Sequence, residues 1–183
     1  MWVQIQQYKK TIVTILIVLG VAGFLTYSYT SKTGIFSDLQ NDLKLVDTDV
    51  PFSYTDLDGN SIDLEQFKGK PLIINAWATW IPFSQTELVL MNEIQKKYGD
   101  TITVIAMNRM ENIEVIKSYL SVFQIPRDIL FIADTTDHFY KVVGGYAMPE
   151  TLFYTSDGVL TMHTRGVLTE AELATYTEAI IEK

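Results

Sequence analysis

The sequence predicts an α/β sandwich with a mixed central sheet. Two continuous apolar runs, Leu72–Trp77 and Ile102–Met107, have the composition of strands that are buried on both faces. A helical pattern at Ser84–Tyr98 lies between them, as expected for parallel strands joined by a helix. Towards the C-terminus, Ser156-Asp157-Gly158 separates two further strand patterns and indicates an antiparallel hairpin. Parallel and antiparallel strands are therefore expected in one sheet.

The first part of the domain is predicted to be a hairpin followed by a central strand and a helix. Residues Phe52–Leu57 alternate apolar and polar side chains as far as Asp58-Gly59, and the alternation resumes at Ile62-Asp63-Leu64, which predicts the hairpin. The first buried strand comes directly after Lys70-Pro71. The helix that follows has its apolar residues on one side, and Gly99-Asp100 ends it.

The second part of the domain is predicted to complete the sheet and to end in a helix. Thr169-Glu170-Ala171-Glu172 has the pattern of a capping box and marks the start of that helix. Gly144-Gly145 ends a short helix, and Pro126 lies beyond the end of a longer one. The elements predicted here are the helices Ile113–Phe123, Asp137–Val143 and Thr169–Glu182 and the strands Ile129–Ile132, Leu152–Tyr154 and Val159–Thr164.

The composition excludes several classes of function. The chain has 183 residues, of which 48% are hydrophobic, so a packed core is expected, and it has no cysteine. Without cysteine, the chain has no disulfide, no thiolate zinc site and no cysteine-based redox cycle of its own. Residues 33–183 carry 11 basic and 22 acidic residues, and so acidic a domain disfavours nucleic-acid binding. The sequence contains no phosphate-binding loop and no dinucleotide fingerprint, so no cofactor is predicted.

The N-terminal region has the pattern of a membrane anchor. Residues 11–31 hold no charge over 21 positions, which is enough to cross a bilayer as a helix. Lys9 and Lys10 precede this transmembrane helix and place residues 1–10 in the cytoplasm, so the acidic domain lies outside the cell membrane. A buried soluble helix is an alternative, but it is seldom apolar over such a length. A cleaved signal peptide is another, but no A-x-A cleavage pattern follows the span.

A spacer at residues 32–50 connects the anchor to a domain at residues 51–183. Ile35, Leu39 and Leu43 recur every four residues, which is compatible with a short amphipathic helix resting on the membrane or on the domain. An irregular tether is the equal alternative. The sequence contains nothing that indicates an oligomeric state.

Several separate motifs lie within residues 52–180, among them G-K-P at Gly69-Lys70-Pro71 and N-x-W-A-T-W at Asn75–Trp80. These blocks resemble the membrane-anchored thioredoxin-fold proteins of the TlpA/ResA type, including those that serve cytochrome c maturation. Glu87 matches an acidic residue three positions after the family's second cysteine. Residues Met148–Phe153 resemble the cis-proline loop, and their Pro-Glu-Thr form is similar to that of the cytochrome c maturation branch. The resemblance implies a thioredoxin-like fold.

The resemblance also implies thiol-disulfide exchange, but this chain lacks the residues that perform it. The nucleophilic and the resolving cysteine would stand at Ile81 and Ser84. Isoleucine has no ionisable group, and a serine hydroxyl stays protonated at neutral pH and forms no disulfide. The residues therefore argue against enzymatic activity and indicate a redox-inactive relative, or pseudoenzyme.

Other chemistry at these positions is disfavoured. A nucleophile at Ser84 would need a nearby histidine, and the sequence has only His138 and His163. Both histidines are expected to be surface or half-buried residues, and no metal site is predicted. Glu87 and Glu150 match acidic groups that help to move protons in the resembling enzymes. Without a thiol they have no such task, and they are expected to be solvated carboxylates.

The face that would carry the active site remains a candidate docking surface for another protein or an extended peptide. In the resembling fold, the backbone before the cis-proline pairs with an extended peptide, which is a β-strand addition. An exposed apolar cluster is typical of such a binding site, and mutual packing of the same side chains is the alternative. The predicted partner-binding residues are Trp80, Ile81, Pro82, Phe83, Tyr146, Met148 and Pro149.

Three functions are compatible with these patterns. The first is a non-catalytic module that is held outside the membrane and binds a polypeptide through the former active-site face. The second is an auxiliary component of a thiol-disulfide or cytochrome c maturation pathway that acts with cysteines of another chain. The third is a structural subunit of a membrane complex, in which the anchor and the spacer make the main contacts.

Overall fold

A computed structural model of the chain describes residues 54–182, which form a sheet with helices on both faces. The strands are β1 (Tyr54–Asp56), β2 (Ser61–Ile62), β3 (Leu72–Trp77), β4 (Thr103–Arg109), β5 (Leu130–Asp134), β6 (Glu150–Tyr154) and β7 (Leu160–Arg165). The helices are α1 (Ser84–Tyr98), α2 (Ile113–Val122), α3 (His138–Val142) and α4 (Glu170–Ile181). Short 3-10 turns occupy Leu64–Phe67 and Gly99–Thr101.

The seven strands form one mixed sheet in the order β2-β1-β5-β4-β3-β6-β7. The three central strands, β3, β4 and β5, are parallel to one another. The hairpin of β1 and β2 joins antiparallel beside β5, and the hairpin of β6 and β7 joins antiparallel beside β3. The predicted mixed sheet is therefore confirmed.

Two apolar clusters hold the helices against the two faces of the sheet. Residues of a strand alternate between the faces, so Ile73 and Trp77 of β3 belong to one cluster, whereas Leu72 and Ile74 belong to the other. The first cluster contains the inner residues of α1, α2 and α4, and the second contains those of α3 and of the turn that begins at Leu64. All six residues of β3 are buried, as its continuous apolar run predicts.

The observed elements match the predicted ones, with small shifts at their ends. The hairpin at the start is confirmed, although the prediction that its second strand continues through Leu64 is wrong. The side chain of Asp63 accepts a hydrogen bond from the backbone N–H of Glu65 at 3.0 Å, and this cap starts a 3-10 turn instead. The capping box at the start of α4 is confirmed, since Thr169 and Glu172 bond reciprocally to each other's backbone.

The predicted membrane anchor at residues 11–31 and the spacer at residues 32–50 lie outside the described residues. Among the helices of residues 54–182, none is both long enough and apolar enough to cross a membrane.

Candidate functional site

The candidate site lies at the C-terminal ends of the parallel strands β3, β4 and β5. Strand β6 runs antiparallel to β3, so it begins where these strands end. In the register of the two strands, Ala76 of β3 stands opposite Glu150 of β6. The turn at residues 78–83 and the loop at residues 146–149 therefore leave the sheet side by side. The sequence assigned candidate docking residues to these two segments, and the fold brings the segments together.

The turn that would carry the two cysteines is closed by hydrogen bonds around the carbonyl oxygen of Ala78. The backbone N–H of Ile81 donates to this oxygen at 3.2 Å, and the hydroxyl of buried Ser84 donates to it at 2.8 Å. The backbone N–H of Ser84 also donates to the carbonyl of Ile81 at 3.2 Å. Ser84 begins α1, as predicted, and its hydroxyl is engaged within the turn.

Glu111 fastens the same turn to the end of β4. One of its carboxylate oxygens accepts hydrogen bonds from the backbone N–H of Thr79 at 2.9 Å and from the side-chain amide of Asn108 at 2.7 Å. Its other oxygen accepts from the hydroxyl of Thr79. Glu111 was not predicted as a site residue, because an acidic residue just before a helix start has the pattern of an ordinary solvated side chain.

Glu150 fastens the loop on the other side of the site. One carboxylate oxygen of this fully buried residue accepts hydrogen bonds from the backbone N–H groups of Tyr146 and Ala147, both at 2.8 Å. The peptide bond between Met148 and Pro149 is cis, as the resemblance implied. Glu150 is therefore a structural anchor of the loop.

The expectation that Glu150 is a solvated carboxylate is wrong. Glu150 begins β6, which lies between β3 and β7, and its second carboxylate oxygen is 2.6 Å from Nε2 of half-buried His163. The Nε of Arg165 lies 3.6 Å from the first oxygen. Burial lowers the pKa of His163, although its contact with Glu150 acts in the opposite direction. A buried carboxylate needs such partners, because an unpaired charge in the interior is costly.

The expectation that Glu87 is a solvated carboxylate is also wrong. Glu87 lies on the inner side of α1 beside Leu88 and is 1% exposed. Neither of its oxygens makes a well-formed hydrogen bond within residues 54–182. Burial raises the pKa of Glu87 to about 7, and the nearby side chain of Asn75 and backbone N–H of Leu168 offset this only in part. Glu87 is thus a buried group that titrates near neutral pH.

A third group of contacts braces the cis-proline loop from the end of β4. Arg109 forms two hydrogen bonds to the carboxylate of Asp137, at 2.5 and 2.9 Å, and its guanidinium lies 3.7 Å from the centre of the Tyr140 ring. Arg109 also contacts the sulfur of Met148 at 3.4 Å, and the hydroxyl of Tyr140 donates to the carbonyl of Ala147 at 3.0 Å. Arg109, Asp137 and Tyr140 were not predicted as site residues, because they are far apart in the sequence.

Large apolar side chains are exposed at the C-terminal ends of the parallel strands. We call Trp80, Phe83, Met110 and Tyr146 the apolar rim; their exposed fractions are 57%, 58%, 60% and 77%. Three of the four were predicted docking residues. Met110 was missed; it follows β4 with a left-handed backbone conformation (φ 62°), and its N–H donates to the carbonyl of Asp134 at 2.9 Å.

The other predicted docking residues contribute less surface. Pro82 is exposed, Ile81 and Met148 are half-buried, and Pro149 is buried. Pro149 therefore shapes the loop without offering a contact surface. The apolar rim and the half-buried residues Ile81 and Met148 together form an apolar surface. The contacts of Glu111, Glu150 and Arg109 hold this surface in place.

The polar groups of the described domain offer little other chemistry. His138 and His163 are half-buried, as expected, and His138 Nδ1 lies 3.1 Å from the hydroxyl of Tyr54. Within residues 54–182, no three histidine or acidic side chains converge as a metal ion would require. Ser84, the one hydroxyl at a former redox position, is already bonded to Ala78.

The chain has relatives of similar length that carry thiol-disulfide names. It is 27% identical over 171 residues to the thiol-disulfide oxidoreductase ResA of Bacillus cereus, a match that covers 92% of this chain and 94% of the relative. It is 26% identical over 170 residues to the thioredoxin-like protein YneN of Bacillus subtilis, with 90% and 95% covered.

Solved structures with the same fold come from several bacteria. A thiol:disulfide interchange protein DsbE from Chlorobium tepidum superimposes with a TM-score of 0.66 at 20% identity, covering 71% of this chain and 92% of that one. The exposed lipoprotein thioredoxin Etrx1 of Streptococcus pneumoniae superimposes with a TM-score of 0.63 at 18% identity, covering 71% and 99%. These likenesses confirm the thioredoxin-like fold.

The family follows from the extent of the sequence match. The sequence profile of the Redoxin family matches residues 45–180, which is most of the chain. The resemblance drawn from the separate motifs is thereby confirmed, together with the departure at Ile81 and Ser84. The chain belongs to the redoxin family and is a ResA-like member with a thioredoxin-like fold that lacks the C-x-x-C pair.

Proposed function

We propose that this chain is a membrane-anchored, extracytoplasmic protein that has no thiol chemistry of its own and binds an extended polypeptide through the former active-site face. The observation that carries the proposal is the substitution of both redox positions, by Ile81 and Ser84, in a chain without any cysteine. The turn, the cis-proline loop and their anchoring contacts are nevertheless all present.

The absence of activity follows from the chemistry of the two substituted residues. Thiol-disulfide exchange requires a thiolate that attacks a disulfide sulfur. Ile81 offers no nucleophile, and the hydroxyl of Ser84 is buried and donates to Ala78. No group at the turn is therefore able to form a mixed disulfide with a substrate.

The binding role is supported by backbone groups of the cis-proline loop that make no backbone hydrogen bond within residues 54–182. The backbone N–H and C=O of Met148 take part in no backbone hydrogen bond there, and an added peptide strand would satisfy them. The apolar rim lies around this position and would contact the side chains of such a strand. Large exposed apolar residues favour a partner because leaving them in water is unfavourable.

The proposed location rests on the sequence and on the name of a structural neighbour. The uncharged stretch at residues 11–31 has the length of a membrane anchor. One structural neighbour, Etrx1, is named an exposed lipoprotein thioredoxin. This name agrees with a domain on the outer side of the membrane.

The first test concerns activity. The full chain, purified in detergent, is expected not to accelerate the reduction of insulin by dithiothreitol, as followed by the turbidity of the precipitating insulin chains. The matched control is the double variant Ile81→Cys, Ser84→Cys, which restores the family's pair in the same scaffold. A wild-type rate above that of the protein-free reaction would contradict the proposed absence of redox chemistry.

The second test concerns binding. A photoreactive residue at position 83 in the native membrane is expected to crosslink to a polypeptide, whereas one at position 142 is not. Val142 is a suitable control because it is a partly exposed apolar residue of α3, on the opposite face of the sheet. Equal crosslinking from both positions, or none from position 83, would contradict a docking role for the rim.

A second candidate function is favoured by the relatives. Because they are named thiol-disulfide oxidoreductases, this chain would act in a redox pathway by presenting a substrate to cysteines of another chain. The crosslinking experiment distinguishes the two functions. A captured polypeptide with a redox-active cysteine pair would favour the auxiliary role, and one without cysteine would favour a purely structural docking role.

A further inference from the structure

We infer that the bound polypeptide continues from the apolar rim into a groove along α2, where it places a large apolar side chain next to a basic one. This inference rests on the function proposed above and names a second contact for the same partner. It specifies which kinds of side chain the partner presents, which the rim alone does not.

The groove runs along the outer side of α2. Its volume is about 510 Å³, comparable to that of a small ligand site. It is wide open to solvent, so it suits a segment of a polypeptide more than an enclosed small molecule. The residues that line the α2 groove are Thr79, Asn112, Glu114, Val115, Ser118, Tyr119, Val122 and Phe123.

The walls of the α2 groove are apolar and exposed. Val122 is 70% exposed, and Val115 and Phe123 are exposed as well. The ring centres of Tyr119 and Phe123, which both line the groove, lie 4.6 Å apart, and Tyr119 also packs against buried Trp77. A surface of this kind gains free energy when an apolar side chain covers it.

The α2 groove is continuous with the apolar rim. Thr79 lines the groove and is the direct neighbour of Trp80, a rim residue. Met110, another rim residue, lies two positions before Asn112, whose side chain caps the start of α2. Glu111, which stands between Met110 and Asn112, connects the rim to the groove because it accepts hydrogen bonds from Thr79. A polypeptide bound at the rim therefore reaches the groove at Thr79.

The charges around the α2 groove favour a basic residue of the partner. Among the described residues that line it, Glu114 is the only charged one, and its side chain is 86% exposed. Burial is the main cause that raises the pKa of Tyr119, and the nearby carboxylate of Glu111 raises it further. Lys117 is 4.0 Å from Glu114, but such an exposed pair is weak. Residues 54–182 carry nine basic and 18 acidic residues, so the wider field also attracts a cation.

The length of the α2 groove sets the length of the segment that it takes. The ten residues of α2 span about 15 Å at the rise of an α-helix. An extended chain advances about 3.3 Å per residue, so about five residues cover the groove. Alternate side chains of that segment face α2, which allows one apolar contact and one contact with Glu114.

A display library of random 12-residue peptides, selected on the full chain in detergent, tests the inference. We expect the selected peptides to be enriched in a large apolar residue close to Lys or Arg. Val122→Asp is expected to weaken their binding at least tenfold, and Glu114→Lys is expected to weaken the basic peptides selectively. Val142→Asp, a matched change on the opposite face, is expected to leave the affinity unchanged. A photoreactive residue at position 122 is expected to crosslink to the selected peptides.

The outcomes separate this inference from the proposed function. If Phe83→Asp abolishes peptide binding while Val122→Asp changes nothing, the inference is overturned and the rim function stands. If no peptide is selected above background, the proposed function fails and the inference fails with it. If position 122 crosslinks to a second copy of the chain, the groove is an interface between copies and the inference is overturned. Circular dichroism of each variant checks that the domain remains folded.

Discussion

The fully buried carboxylate of Glu150 accepts a hydrogen bond at 2.8 Å from the backbone N–H of Tyr146, whose side chain is largely exposed. A charge in the interior thus fixes the conformation of a surface loop. The same oxygen also accepts from Ala147, and His163 contacts the other oxygen. Deleting this carboxylate would leave several part-buried donors without their acceptor.

We therefore predict that Glu150→Ala lowers the free energy of unfolding by a few kcal/mol, because each shielded donor left without its acceptor costs about 1–3 kcal/mol. Urea unfolding followed by tryptophan fluorescence measures this change. The control is Glu178→Ala, which removes an exposed partner of Tyr98 and Lys97 and is expected to cost about 0–1 kcal/mol. Equal effects of the two substitutions would contradict the role assigned to Glu150.

Glu87 is predicted to make the stability of the domain depend on pH. Its pKa is raised from 4.5 to about 7 in the folded state, so between these pH values the folded protein binds more protons than the unfolded one. The stabilising effect of protonation is therefore complete below pH 4.5 and is lost as the pH rises through about 7.

The variant Glu87→Gln tests this, because its side chain is uncharged at every pH. Relative to the wild type, it is expected to gain stability between pH 4.5 and pH 8, by up to about 3 kcal/mol. The lowered pKa of His163 gives the opposite slope as the pH falls below its ordinary value, but it is present in both proteins and cancels in the difference. A difference that does not vary with pH would contradict the titration of Glu87.

The double variant Ile81→Cys, Ser84→Cys is predicted to form a disulfide. The hydrogen bond from the N–H of Ser84 to the carbonyl of Ile81 closes a four-residue turn, which brings the two Cα atoms to within about 7 Å. A disulfide spans about 4.4–6.8 Å between Cα atoms, so the turn already has nearly the required geometry. Mass spectrometry after alkylation, with and without dithiothreitol, counts the thiols. The single variant Ile81→Cys is the control, and two free thiols after oxidation of the double variant would show that the turn differs from the family's.

Glu111→Ala is predicted to loosen the turn that precedes the rim. The backbone N–H of Thr79 loses its acceptor, and an unsatisfied donor costs about 1–3 kcal/mol when it is shielded from water. Hydrogen exchange at Thr79, measured by NMR, is expected to become faster. The control is Glu114→Ala, which changes a neighbouring carboxylate that does not bond to the turn. Unchanged exchange at Thr79 in the Glu111 variant would contradict the anchoring role.

Much of the fold was predictable because it depends on local patterns. The continuous apolar run of β3 and the capping box at Thr169 each identify an element without any knowledge of its neighbours. The order of the strands in the sheet was less accessible. The pairing of β1 with β5 joins residues that are 76 and 78 positions apart, Asp56 with Ile132 and Thr55 with Ala133, and no local pattern encodes it.

The candidate site, like the fold, was predictable only in part. Trp80, Phe83 and Tyr146 were predicted as docking residues from motifs in the sequence, whereas Met110 and Glu111 were missed. An acidic side chain has the same appearance in a sequence whether it is solvated or buried. Only the packing around it distinguishes the two cases.

The sequence by itself determined that this chain has a thioredoxin-like fold and no cysteine thiol, because the motifs are present and cysteine is absent. The tertiary structure decided the states of Glu87 and Glu150, which the sequence predicted to be solvated. It buries Glu87 against the sheet and surrounds Glu150 with donors from β7 and from the cis-proline loop. The reason is physical: the environment of a charge depends on groups that are distant in sequence, and these meet only when the sheet is assembled.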